Sequence, residues 1–154
     1  MKMHCLLTKI LTGAALLVST SLFASPAWAE GCRFNKGRYE LVGNKDVGLL
    51  MLPPSNQSAV QLARVRITHG GVTKLKGVLT ASSGYSALYF IAEHKELEEK
   101  TIVFSFFDAE MRLSSDNAKY LVSQGFPRTL YYNDRELWNE LSLTGEAWRL
   151  VACR

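Results

Sequence analysis

The stretch QLARVRITHGGVTKLKGVLT, residues 61–80, decides the fold. Apolar side chains recur at intervals of two or four residues before and after its two glycines, at Ala63, Val65, Ile67, Leu75 and Leu79. Alternation with a period of two is typical of a strand that buries one face, and a glycine-containing loop between two such runs predicts a β-hairpin. We therefore expect two antiparallel strands joined at residues 69–71.

The polar face of this hairpin carries four cations, Arg64, Arg66, Lys74 and Lys76. A three-residue loop with Gly71 in the left-handed conformation would place Arg66 opposite Lys74 and Arg64 opposite Lys76. Like charges directly opposite each other destabilise a sheet. We therefore hypothesise that these four side chains bind an anion or an acidic partner. The alternative is an ordinary solvent-exposed β face.

Strand patterns continue on both sides of the hairpin, at residues 38–42, 49–52, 85–92, 101–113 and 148–153. The fourth of these runs changes phase at Phe106-Phe107, which indicates a bulge or a change of sheet. The last third of the chain differs, because it contains helix signals as well as strand signals.

Two short helices are predicted in that last third. Ser115 is a candidate N-cap for a helix that ends near Gly125. Asn133 and Glu136 have the spacing of a capping box, which predicts a second helix, and residues 129–132 between them have strand character. The predicted fold class is mainly β, a small antiparallel β-barrel or sandwich with one or two short C-terminal helices.

Residues 1–29 have the composition of a cleaved secretory signal peptide. Two lysines accompany an apolar segment, and Ala27-Trp28-Ala29 fits an A-x-A cleavage site. The apolar segment falls short of the roughly 20 residues that a membrane span needs, so an uncleaved anchor is the weaker alternative. We predict a single mature domain, residues 30–154, without a membrane span. Its location would be periplasmic or secreted, and a thylakoid lumen would use the same type of signal.

Two cysteines remain in the predicted mature domain, Cys32 near its start and Cys153 near its end. In an oxidising compartment an even pair predicts a disulfide. Such a bridge would link the termini and bring the first and last strands together. A redox site is the alternative, but the spacing contains no C-x-x-C motif.

The charge of the predicted mature domain is nearly balanced, with 16 basic and 14 acidic side chains. This balance argues against a dedicated nucleic-acid-binding protein. The charge is nevertheless uneven along the chain, because residues 30–76 carry a net +5 and residues 77–154 a net −3. Such asymmetry indicates either contact with a partner or two solvated faces of one domain.

Motifs for catalysis or for a cofactor are sparse. Asp108 and Glu110 share one face of a strand and form a candidate carboxylate pair, although Arg112 on the same face also fits a salt-linked exposed edge. His94 and Glu98 would share one face of a helix, but two ligands are too few for a metal site. The sequence contains no phosphate loop and no dinucleotide motif, so we predict no cofactor and no metal.

Two short segments resemble known families. Residues 37–41, GRYEL, resemble the opening strand of lipocalin-like barrels, which implies a ligand cavity inside the barrel. Residues 82–89, SSGYSALY, resemble the Ser/Gly-rich segment of periplasmic lysozyme inhibitors of the membrane-bound C-type class, which are small disulfide-linked β-barrels. The second, Tyr- and Lys-Gly-containing motif of those inhibitors is not visible here, and the basic first half is a poor match for a basic lysozyme.

These patterns favour an exported, non-enzymatic binding protein that contacts another envelope protein, in an inhibitor- or immunity-like role, or an anionic ligand. One alternative is a carrier of a small apolar or anionic ligand in a lipocalin-like barrel. A hydrolase that uses Asp108 and Glu110 is another. The sequence carries no signal for the oligomeric state.

Overall fold

A closed barrel of eight antiparallel strands forms the body of the protein. The structure, a computed structural model, describes residues 31–55, 60–81 and 88–154. The predicted signal peptide, residues 1–29, and most of the Ser/Gly-rich segment 82–89 lie outside the described residues.

Each strand pairs with the next one along the chain, and the first strand pairs with the last to close the barrel. The predicted small antiparallel barrel is thereby confirmed over the sandwich. The strands are β1 (Gly37–Leu41), β2 (Asn44–Leu52), β3 (Gln61–His69), β4 (Val72–Ala81), β5 (Leu88–Ala92), β6 (Ile102–Phe107), β7 (Tyr120–Gln124) and β8 (Ala147–Cys153).

Side chains fill the interior of the barrel. Alternate residues of the strands point inward, and the largest fully buried ones include Trp148, Tyr39, Phe90 and Phe104. Gly77 leaves room for one of these rings, since a Cβ at that position would lie 2.4 Å from the Phe90 ring. Small barrels are commonly filled in this way. The lipocalin-like expectation of a cavity in the middle of the barrel therefore finds no support among the described residues.

Two short helices connect β7 to β8, α1 (Phe126–Asn133) and α2 (Arg135–Leu141). Their buried side chains, Phe126, Leu130, Leu137 and Leu141, join the core at the end of the barrel where β7 stops. We call this the helix end, and the opposite end the mouth. The prediction of one or two short C-terminal helices is confirmed.

The position predicted for the first helix is wrong. The segment after Ser115 leads into strand β7, and residues 129–132, predicted as a strand, belong to α1. Residues 120–124 form strand β7 because they pair with both β6 and β8. Pro127 lies in the first turn of α1, where a missing N–H costs nothing. Asp134 rather than Asn133 caps α2, by accepting a hydrogen bond of 2.9 Å from the N–H of Leu137.

The predicted disulfide is present. Cys32 and Cys153 are bonded, with their Cα atoms 5.8 Å apart. Beyond Cys32 a 3₁₀ turn, Phe34–Lys36, places the Phe34 ring 4.9 Å from the ring of Phe106 at the mouth. Among the described residues, no helix has the length and apolar character that crossing a membrane would require.

Candidate functional site

The hairpin between β3 and β4 has a register that differs from the prediction. Gly70 and Gly71 alone form the turn, both with positive φ, at 56° and 80°. Positive φ at both central residues is what a two-residue type I′ turn requires, and glycine adopts it without strain. His69 consequently pairs with Val72, and the register then shifts between Ile67 and Thr68.

This shift changes which cations face each other. Arg66 lies directly opposite Lys76, and Arg64 lies opposite Val78. The predicted pairs Arg66–Lys74 and Arg64–Lys76 are therefore wrong, because the turn is one residue shorter than expected and an irregularity follows it. The expectation that like charges face each other on this hairpin nevertheless holds for one pair.

The four predicted site residues have different surroundings. The Lys74 ammonium forms an ion pair of 3.1 Å with the carboxylate of Glu140 on α2. The Nε–H of Arg64 donates a hydrogen bond of 3.0 Å to the carbonyl of Pro53. Arg66 and Lys76 are exposed, and neither forms an ion pair within residues 31–55, 60–81 and 88–154.

Apolar side chains surround these two cations on the outer face. Leu50 of β2 lies opposite Arg66, and Leu52 lies opposite Arg64. On the other side, Val78 of β4 lies opposite Ile91 of β5, whose side chain is 44% exposed. We call Arg66 and Lys76, with Arg64 and these apolar neighbours, the cationic face. One acidic residue, Glu93, lies next to Lys76 across the strands. Its backbone N–H donates a hydrogen bond of 2.8 Å to the carbonyl of Lys76.

The two carboxylates considered for hydrolysis are both engaged by Arg112. Oδ1 of Asp108 accepts the backbone N–H groups of Glu110 and Arg112, and Oδ2 accepts the Nε–H of Arg112 at 2.9 Å. The backbone hydrogen bond from Arg112, aided by its side chain and charge, lowers the pKa of Asp108 below its usual value. Glu110 forms an ion pair of 3.1 Å with the same guanidinium. Asp108 thus stays ionised and holds a turn, which is the opposite of what a general acid needs.

His94 contacts a different partner from the one that its sequence neighbourhood indicates. Its Nε2 lies 3.1 Å from Oδ2 of Asp134, so this ring links the chain after β5 to the cap of α2. Glu98 follows a short 3₁₀ turn, Lys95–Leu97, rather than lying on a continuous helix face. Within the described part of the chain, no group of three or more His, Cys, Asp or Glu side chains could hold a metal ion.

Several concave sites lie outside the filled interior, among them a pocket and a groove. An apolar pocket of about 370 Å³ opens at the mouth, between Phe34 and side chains that include Leu62, Leu88 and Leu113. A groove of about 470 Å³ lies outside β7 and β8, and its lining includes Lys119, Tyr120 and Arg149. The sequence does not predict this groove, because the residues that line it come from separate segments of the chain.

Comparison with known proteins identifies no relative. Neither a family model, nor a curated protein, nor a solved structure matches this chain.

Proposed function

We propose that this protein is an exported, non-enzymatic binding protein that holds an acidic protein partner of the cell envelope on its cationic face. The observation that carries the proposal is the direct opposition of Arg66 and Lys76, both exposed and without an ion-pair partner among the described residues. Opposed like charges cost a sheet stability. An acidic partner would turn this cost into attraction.

The apolar neighbours favour a protein over a simple anion. Leu50, Leu52 and Val78 are half-buried beside the cations, and Ile91 is exposed. Interfaces between proteins typically combine an apolar centre with arginine anchors and a polar rim. A small inorganic anion would gain nothing from these side chains. An inhibitor- or immunity-like role is compatible with such a surface.

Two features support the proposed compartment. Residues 1–29 have the pattern of a secretory signal, and the Cys32–Cys153 disulfide is of the kind that persists in oxidising compartments. Both support action in the periplasm or outside the cell.

The test is capture from an envelope extract with the immobilised mature protein, followed by identification of retained proteins by mass spectrometry. Arg66→Gln/Lys76→Gln is compared with Lys119→Gln/Arg149→Gln, which removes the same charge elsewhere. We expect an acidic protein that the first variant loses and the second retains, and whose binding weakens as salt is raised.

Equal capture by both variants would refute the proposal. Thermal unfolding of each variant accompanies the experiment, so that a loss of binding cannot be mistaken for a loss of folding. Removing opposed like charges should leave the stability of Arg66→Gln/Lys76→Gln equal to or above that of the original protein.

A second candidate function, carriage of a small apolar ligand, is favoured by the mouth pocket. Its lining is rich in apolar side chains, among them Phe34, Phe104, Phe106 and Leu88, and barrel mouths commonly hold ligands. An apolar fluorescent probe displaced by an extract of envelope lipids would support this function. Absence of probe binding would exclude it.

A further inference from the structure

The groove outside β7 and β8 has the chemistry of an anion site with an apolar floor. It has a volume of about 470 Å³ and is lined by Ala109, Lys119, Tyr120, Arg149, Leu150 and Val151. This volume is within the usual range for small-ligand sites. None of the lining residues was a candidate on sequence grounds.

Strand pairing brings the two cations to the same place. Tyr120 lies directly opposite Arg149 in the β7–β8 register. The backbone N–H of Leu150 donates a hydrogen bond of 2.8 Å to the carbonyl of Lys119. The backbones of Lys119 and Arg149 are therefore diagonal neighbours across the strands, although 30 positions separate them along the chain, and both residues line the groove.

Among the described residues, the lining of the groove includes two cationic residues and no acidic one. Within the described ranges neither Lys119 nor Arg149 forms an ion pair. The nearest acidic residue by register is Glu40, opposite Arg149 on β1, and its carboxylate pairs with Arg38 at 3.3 Å. Arg149 thus has Glu40 as a cross-strand neighbour on the β1 side, while the groove on the β7 side is lined, in the described part of the chain, by two cationic residues and by no acidic one. An arginine and a lysine that line one groove suit a carboxylate.

The remaining lining is apolar and firmly held. Leu150 is buried, and Val151 is half-buried beside it. The loop that supplies Ala109 is held by the hydrogen bonds of Asp108, and the N–H of Lys119 donates to the carbonyl of Phe107 at 2.7 Å. A preformed site of this kind loses little entropy when a ligand binds.

We propose that this groove binds a small organic carboxylate that carries an apolar group. Lys119 and Arg149 hold the carboxylate, while Tyr120 and Val151 contact the apolar part. The site is separate from the cationic face, and it does not depend on the function proposed above.

The test uses octanoate as the probe, with acetate as the anion without a tail and octylammonium as the tail with the opposite charge. Binding is followed by backbone amide shifts in NMR spectra of the ¹⁵N-labelled mature protein. We expect octanoate to shift the amides of Tyr120, Arg149 and Val151 and to bind more tightly than either control. Lys119→Gln/Arg149→Gln should weaken octanoate binding by about tenfold or more, because charge-assisted hydrogen bonds are lost. Arg66→Gln/Lys76→Gln should leave it unchanged.

Four results would overturn the proposal. Equal binding of acetate and octanoate would show charge attraction without a role for the apolar floor. Equal binding of octylammonium would show that the two cations play no part in binding. Octanoate shifts confined to the amides of Leu88 and Leu113 would assign the ligand to the mouth pocket instead. Octanoate binding that Val151→Glu leaves intact would also contradict it, since that variant places a carboxylate in the groove while both cations remain. Loss of partner capture by the cationic-face variant is measured separately, so the two proposals can fail independently.

Discussion

Replacing both cysteines of the bridge, as Cys32→Ala/Cys153→Ala, should lower the free energy of unfolding by about 5 kcal/mol. The bridge joins residues 121 positions apart. In the chain-entropy model a loop of that length costs the unfolded chain about 16 cal/mol/K, which is about 5 kcal/mol at 25 °C. Domains of ordinary stability unfold with roughly 5–15 kcal/mol, so the loss is a large share of the total.

The native fold should survive this replacement if enough stability remains. β1 and β8 are hydrogen-bonded along their length, and Gly37 already pairs with Cys153 through the backbone. The effect therefore lies mainly in the unfolded state, which the bridge keeps compact. We accordingly expect the urea m-value to rise when the bridge is removed, because the unfolded chain then exposes more surface.

Urea unfolding followed by tryptophan fluorescence measures both quantities. The control is Arg33→Ala, which breaks the exposed ion pair of 3.1 Å with Asp116 near the same terminus and should change stability little, as exposed pairs do. A loss below about 2 kcal/mol with an unchanged m-value would refute the reasoning, since it would mean that the unfolded chain is confined without the bridge.

Three further predictions concern the core and one turn. Ser123→Ala should cost about 1–3 kcal/mol in urea unfolding, because the indole N–H of Trp148 would lose its buried acceptor at 2.9 Å. Gly77→Ala should lower the free energy of unfolding by about 1–3 kcal/mol or more, since the new Cβ would lie 2.4 Å from the Phe90 ring and 2.3 Å from a backbone oxygen. Asp108 has a lowered pKa in the folded state, so its contribution to stability is present above its ordinary pKa of 3.8 and is lost as the pH falls through the lower folded value. Asp108→Asn should therefore flatten the dependence of unfolding free energy on pH in the range below 3.8.

Matched control variants distinguish these effects from nonspecific destabilisation of the fold. Gly145→Ala is the control for Gly77→Ala, because a Cβ at Gly145 meets nothing within 4 Å; similar losses for both would contradict the packing argument. Ser105→Ala, in a half-buried position on β6, is the control for Ser123→Ala. Asp116→Asn is the control for Asp108→Asn, and the turn argument fails if both give the same pH profile.

The local sequence pattern was sufficient to predict most strands of the barrel. Ala63, Val65 and Ile67 point inward as their alternation predicts, because a strand that buries one face shows a period of two in its own sequence. The second helix was also predicted, since its apolar side chains and its cap lie within one short segment, although the cap is Asp134 rather than the predicted Asn133.

Strand β7 could not be predicted from its own sequence in the same way. Ala118, Leu121 and Val122 fit a helical period, whereas Leu121 and Ser123 fit an alternating one, so the sequence predicts a helix where the structure has a strand. The buried hydroxyl of Ser123 accepts the indole N–H of Trp148 from β8. That contact joins residues 25 positions apart, so no pattern within the segment predicts it.

The sequence by itself determined the fold class, the bridge between Cys32 and Cys153, and the presence of cations on the outer face of one hairpin. These features depend on periodicity, spacing and residue type, which are local or countable. Only the tertiary structure decided that Arg66 faces Lys76, that Glu140 neutralises Lys74, and that Lys119 and Arg149 share a groove. The physical reason is that strand register and groove shape depend on interactions between distant parts of the chain. The two-glycine turn, the register shift and the strand pairings together set them, and no single segment determines these interactions alone.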